Sequence, residues 1–361
     1  MNFLFTKNCN LEFRVYCKHI RMKYFFYLIF LIPLFATAQE KPEVFPEDIN
    51  GQMIELPCYC SPGVTGKSRS RGLDLSYKYT GNSKVRGEDQ TLQEPHSIID
   101  SHQAFTLKLK LPVINRPNFK VLLGYGYQTE VISFENIGVD YTEQFRHLDG
   151  QRLKNNSLSL TTVNSFTNSY FSSKFKISSN GDYNNLMKFE ERYLVYNLIA
   201  AYGIKKREDL EWGFGVSVSH SFRNNRVIPF FIFNRSFNER WGLEMVLPAL
   251  VMGRCNIDVN TILLGGVEYN SKNYSLTSPI EPNEMGFIYN YNHSEVNGLI
   301  RLERHLIPWL WMSAEAGYQI NFSSDFESPN EDDAPSFMVD PQNNMFFKVG
   351  LFISPPDNFL K

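Results

Sequence analysis

The sequence predicts an all-β chain that closes on itself as an antiparallel, up-and-down transmembrane β-barrel of about 12 strands. Three features carry this prediction. Apolar and polar residues alternate with period two along most of the chain, the spacing at which successive strand side chains face opposite ways. Alternation alone fits a soluble sandwich too, but here the polar face is rich in Gly, Ser and Asn instead of dense Lys and Glu. Finally, short turns alternate with long polar loops, and aromatics gather toward strand ends (Tyr77, Tyr79, Tyr125, Tyr127, Trp212, Trp241, Trp309, Trp311). That is where the interfacial girdles of a membrane barrel sit.

The chain opens on a leader. Residues Tyr24 to Ala36 form an apolar run of 13 residues behind Arg21 and Lys23, ending in Ala36-Thr37-Ala38. A membrane-crossing helix needs about 20 residues. A short greasy run, basic flank and small-x-small ending spell a secretory signal peptide over 22–38, with cleavage after Ala38. Residues 1–21 are long, mixed and contain Glu12, which reads as an over-extended start ahead of Met22. N-terminal sequencing of the mature protein is expected to find Gln39 first, and retention of Tyr24–Ala36 would count against this reading.

Residues 39–70 hold Pro42, Pro46, Pro57 and Pro62 and no period, so an irregular periplasmic segment is expected there. The barrel is placed at 71–354 and a short tail at 355–361. Alternation is clearest where Leu73, Leu75, Tyr77 and Tyr79 oppose Asp74, Ser76, Lys78 and Thr80. It recurs where Trp212, Phe214, Val216 and Val218 oppose Gly213, Gly215, Ser217 and Ser219. Thirteen segments read as strands: 71–80, 103–113, 119–134, 151–163, 169–179, 192–204, 210–223, 226–237, 240–252, 259–271, 285–303, 308–322 and 345–354. Within 285–303 the phase switches near His293, which suggests a bulge or two segments. Single-chain bacterial barrels close with an even number. Alternation is weakest over 151–180, and merging its two segments gives 12. The loops 81–100, 135–150, 273–284 and 323–342 then lie outside the cell, and Asn224-Asn225 and Asn238-Glu239 mark hairpin turns.

Composition narrows function. Without residues 1–38, 31 basic and 37 acidic side chains remain, a net charge of −6 that argues against nucleic acid. The chain is 15% aromatic, with 30 Phe and 19 Tyr, yet its mean hydropathy is −0.30. Cys58, Cys60 and Cys255 make no disulfide framework or metal set. No hydrolase, zinc, nucleotide or dinucleotide motif is present. His220-Ser221 are strand neighbours that point apart, His220 toward lipid and Ser221 inward, so they cannot pair. His96, His102, His147, His293 and His305 show no partnering pattern. Glu331, Asp332 and Asp333, with Asp325, Glu327 and Asp340, read as a solvated loop rather than a calcium site. The lumen candidates Lys108, Lys110, Lys120, Glu130, Lys174, Lys176, Glu244, Glu268, Glu315 and Lys348 carry mixed signs and are expected to pair across the interior. No catalytic, cofactor-binding or metal-binding residue is assigned.

The leader, the recurrent hairpins and the stretch WGLEMVLPALVMGRCNIDVNTILLGGVEY (Trp241–Tyr269) resemble uncharacterised bacterial outer-membrane β-barrel families, whose sequences carry a similar tryptophan strand followed by Leu-Pro. The resemblance covers about residues 70–354 and implies a fold and an outer-membrane location, and no activity. One departure concerns the C-terminus: FFKVGLFIS is followed by PPDNFLK, so the assembly signal would be internal, or Phe359 would play that part. The expectation is a passive channel or small-solute transporter. The alternative is a plugged structural or adhesive barrel binding through its external loops. A lipid-modifying membrane enzyme comes third, and would need at least a Ser–His pair that meets. Expected partners are outer-membrane lipid and lipopolysaccharide, with barrel-assembly machinery and periplasmic chaperones during biogenesis.

Overall fold

The computed structural model describes residues 63–87, 97–137, 142–221, 225–278, 287–328 and 337–354. The leader, Cys58 and Cys60, His96, the Glu331–Asp333 acids and the tail 355–361 lie outside the described residues. Those described form β1 (Leu73–Thr80), β2 (Ser83–Gly87), β3 (Ser97–Asn115), β4 (Phe119–Asn136), helix α1 (Thr142–Leu148), β5 (Arg152–Ser165) and β6 (Ser169–Gly181). There follow β7 (Leu194–Arg207), β8 (Leu210–His220), β9 (Asn225–Ser236), β10 (Trp241–Leu247), β11 (Leu250–Asp258), β12 (Thr261–Ser278), β13 (Phe287–Ile307), β14 (Leu310–Glu327), β15 (Phe337–Pro341) and β16 (Asn344–Ile353).

Consecutive strands pair antiparallel, and the ends meet: β1 bonds both β3 and β16, so that Tyr77 lies between Phe105 and Val349. The two shortest pieces continue others, β2 extending β1 and β15 extending β16, and they pair with each other. The result is a closed antiparallel barrel of 14 strand positions among the described residues. Closure leaves no edge strand with unpaired backbone, which a sheet within lipid requires.

Fourteen positions, against about 12 expected, have two sources. The 151–180 region holds two full strands, β5 and β6, paired from Lys154↔Gly181 to Ser165↔Tyr170. Their alternation is weak because Ser and Asn stand on both faces. The segment read as 240–252 is likewise two strands, folded at Pro248-Ala249 so that Met245 faces Val251. Proline cannot continue a central ladder, so Pro248 was the available signal.

Side-chain direction follows the inverted pattern. Phe214, Val349, Phe347 and Ile300 stand outward, with Phe214 57% exposed, while Ser217, Lys348 and Glu315 face in. The phase change near His293 has a cause other than a flip of the chain. Along β13 odd-numbered residues face inward throughout, pairing in register with β12. In the lower half these are Asn297, Arg301 and Glu303, with Ile300 and Leu302 outside. In the upper half they are Tyr289 and Tyr291, packed within. β12 does the same, with Val267 and Tyr269 outward below and Tyr274 and Leu276 inward above. The oily face changes sides at one height while the strand runs straight on. The bulge lies on the neighbouring β14, where Phe322 is the extra residue between the Ser294↔Ser323 and Glu295↔Asn321 pairs, and not within 285–303 as expected.

Candidate functional site

Among the described residues, polar side chains from many strands converge in the lumen, which is occupied in tiers. At the short-turn end, residues 63–72 turn in from β1 and cross the mouth as a strap. Arg71 donates to Glu303 on β13 (2.5 Å) and lies 4.3 Å over the Phe352 ring. Arg69 lies 5.3 Å over Trp311. Ser68 gives its backbone N–H (2.8 Å) and its hydroxyl (2.6 Å) to the two Glu244 oxygens on β10. The Thr65 N–H reaches the Glu208 carbonyl and the Gly63 N–H reaches Glu211 on β8, both at 2.9 Å. Three inward glutamates thus hold backbone and cations of one segment, and each carboxylate–donor bond is of the stronger, charge-assisted kind.

Higher up stand two buried carboxylates. Glu130, 2% exposed, accepts from Lys272 (2.9 Å), Tyr274 (2.9 Å) and Gln128 (2.5 Å), and bonds His102 at 2.8 Å. Glu295 accepts from Lys78 (3.1 Å) and Asn297 (2.9 Å) and meets His293 at 3.3 Å. Lys78 also reaches Gln319 (2.8 Å). A buried charge is tolerable when its lone pairs are met this fully. Above them sits an apolar cap. Phe145 and Leu148 of α1 pack with Val85, Leu153, Tyr274, Leu276, Tyr289, Phe326 and Val339. The helix is tethered where His147 bonds Asp182 (3.0 Å), which also accepts the Thr277 N–H (2.8 Å). A cavity of about 50 Å³ remains beneath the cap, among His102, Tyr291, His293 and Gln319, room for a few waters at most.

The register places all ten lumen candidates on inward positions, but their pairing is not the even mixture expected. Glu130 takes Lys272, Glu244 takes Arg254 (3.3 Å), and Arg301 lies between Glu315 (2.7 Å) and Glu268 (3.6 Å), with Lys348 4.0 Å from Glu315. Lys120 also has a partner. Lys108, Lys110, Lys174 and Lys176 form no ion pair among the described residues. Acids sit on β1, β4, β8 and β10–β14, Asp74 of β1 standing opposite Lys108 in the register, whereas β3 and β6 bring only cations to this height.

The histidines need a correction as well. His102 and His293 lie within β3 and β13 and are bonded to carboxylates, and His147 is bonded to Asp182. Their partners come from other strands or across a loop, or, for Glu295, from two residues along a strand whose phase hid it. His220 behaves as expected, on the outer face, stacked on Tyr196 (6.3 Å). Sequence reading missed the meeting of Ser324 with His293 Nδ1 (2.5 Å), whose Nε2 faces Glu295. This has the composition of a hydrolytic triad. Yet Ser324 is 1% exposed, and Glu295 is already committed to Lys78 and Asn297.

Comparison with known proteins adds the following. No curated protein matches the sequence. Among solved structures, the chain is similar to the beta domain of the Bordetella autotransporter BrkA (8% identity, TM-score 0.32, covering 79% of this chain and 100% of that one). It is also similar to the P. putida toluene transporter TodX (5%, TM-score 0.35, 79% and 89%) and to the Escherichia coli outer membrane protease OmpT (9%, TM-score 0.27, 80% and 100%). The family model described as "Domain of unknown function (DUF6268)" matches residues 65–354, four-fifths of the sequence, and the chain belongs to that family.

Proposed function

We propose that the protein is an outer-membrane barrel shut at rest, a structural or adhesive surface element rather than an open pore or an enzyme. One observation carries this reading: the oily face lies outside in the lower half of β12–β14 and inside in the upper half. Below, Ile300, Leu302 and Val267 need acyl chains around them. Above, Tyr289, Leu276 and Phe326 close the lumen, and Ser323 and Asn273 stand outside. A wall immersed in lipid for part of its height and in water for the rest accounts for both. Strands of 18–21 residues are about twice what a bilayer crossing needs. The upper half then projects from the cell with its loops, and the outer wall meets lipid and lipopolysaccharide. A chain that must keep such a wall dry before insertion would use periplasmic chaperones and barrel-assembly machinery.

The strap at one mouth and the α1 cap at the other favour the plugged form over the passive channel. Ser324 is 1% exposed with its hydroxyl against His293, which favours a packing role over catalysis. In planar bilayers, protein whose folding is verified by heat-modifiable gel migration is expected to stay silent. Steady open steps from the full chain would overturn the closed reading and restore the channel.

A further inference from the structure

Of the charged side chains inside the barrel, four lack what the others have. Lys108 and Lys110 on β3 and Lys174 and Lys176 on β6 face the lumen with no carboxylate or hydrogen-bond partner among the described residues. They share one patch of wall. Across the sheet the register runs Lys110–Gly124–Ser159–Lys176, with Lys108–Gly126–Ser157 one row above. Three strand steps of about 4.8 Å put Lys110 and Lys176 roughly 14 Å apart at Cα, a gap that two lysine side chains leaning inward can close upon a shared ligand.

The floor between them is shaped. A Cβ on Gly124 would lie 2.4 Å from the Ser159 hydroxyl, and one on Gly126 would lie 2.6 Å from that of Ser157. The glycines make room for two hydroxyls on the lumen side, that of Ser157 resting 3.4 Å from the Gly126 carbonyl, and a hydroxyl can donate to an oxyanion. The basin is wet, since Lys108 and Lys110 are exposed although they point inward. The strap reaches carboxylates on β8, β10 and β13, and it touches β3 at the Lys110 N–H to Gly72 carbonyl bond (2.7 Å). The nearest carboxylate in the register, Asp74 opposite Lys108, is taken by Arg71 (2.9 Å). Like charges held together with little counter-charge cost free energy, and a bound anion removes that cost.

We propose that the β3–β6 wall of the lumen binds a small oxyanion carrying two or more charges, phosphate or carboxylate, entering from the short-turn end. This goes beyond the closed-barrel reading and does not depend on it. A free solute fits better than a lipid headgroup, because acyl chains could not follow into a polar lumen.

The test is isothermal titration of inorganic pyrophosphate into the detergent-folded full chain at low salt. The expected result is saturable binding that K110Q/K176Q weakens about tenfold or more by removing two charge-assisted contacts. K110R/K176R should retain it. Binding should also fade between about 0.01 and 0.15 M salt, as the screening length falls from about 30 to 8 Å. No saturable binding, equal binding by K110Q/K176Q, or capture of phosphatidic acid in the same micelles without capture of pyrophosphate would each overturn the site. Should K110Q/K176Q not fold, amine acetylation of the wild-type protein read by mass spectrometry decides. Pyrophosphate must protect Lys110 and Lys176 while leaving the outlying Lys206 unprotected, and equal labelling overturns the proposal.

Discussion

Replacing Phe214 by Arg is expected to destabilise the lipid-inserted barrel by about 2–4 kcal/mol, the cost of a cation on the lipid face near mid-depth. Phe214 lies midway along β8, between Trp212 near one end and His220 at the other, and is 57% exposed outward. The control is three residues away. Ser217 faces the lumen, bonded to Asn197 (3.1 Å), and Ser217→Arg should cost well under 1 kcal/mol in a space that is already polar. Urea titrations in lipid vesicles, followed by heat-modifiable migration, would measure both. The contrast isolates side-chain direction, because the two positions share a strand and an introduced residue and differ by only about 8 Å in height. If Ser217→Arg proved the costly change and Phe214→Arg the mild one, the barrel would be inside out.

The second large effect concerns Glu130. Glu130→Ala is expected to cost about 3–5 kcal/mol, because it strands a buried cation and leaves three further donors without their acceptor. The ammonium of Lys272 is 2.9 Å from the carboxylate, and its side chain is only 17% exposed. Tyr274, Gln128 and His102 bond the same group. Glu130→Gln keeps an acceptor and the shape, so it should lose less. The double variant Glu130→Ala/Lys272→Met removes both charges and should recover much of the loss, since an apolar replacement of a buried pair is often near neutral. The same vesicle titration reads all three. Equal loss in the single and double variants would show that the network matters for its volume and not its charge.

The fold was legible where one face is uniformly oily. Strands such as β1, β3, β8 and β16 announce themselves because Phe, Leu, Val and Tyr occupy every second position. The signal failed where both faces are small and polar, as in β5 and β6, and where a proline turn was absorbed into a continuous run, as at Pro248. The lumen was half legible. Alternation assigns Lys108 or Glu315 to the inside without any structure, but it carries no information on which strands face each other across the hollow. Lys272 and Glu130 are 142 residues apart, and nothing local ties them. The phase change near His293 was visible in the sequence as an irregularity. Its meaning needed the pairing partners, since a bulge, a break and a change of surroundings all look alike in one dimension.

The rim of the barrel is far from level. β10 and β11 have 7 and 9 residues, and their hairpin at Pro248-Ala249 sits much lower than the tops of β12 and β13, with 18 and 21. At 3.4 Å per residue and a tilt near 40°, that sector stands only about 18–24 Å tall, short of the roughly 25 Å apolar band of such proteins. In the membrane setting proposed above, lipid tails bordering this notch would have to compress or splay, and each ångström of thinning carries a small penalty. A neighbour with a matching shallow flank would relieve it by docking there. In that setting the barrel would carry a preferred side, and clustering would begin at the notch.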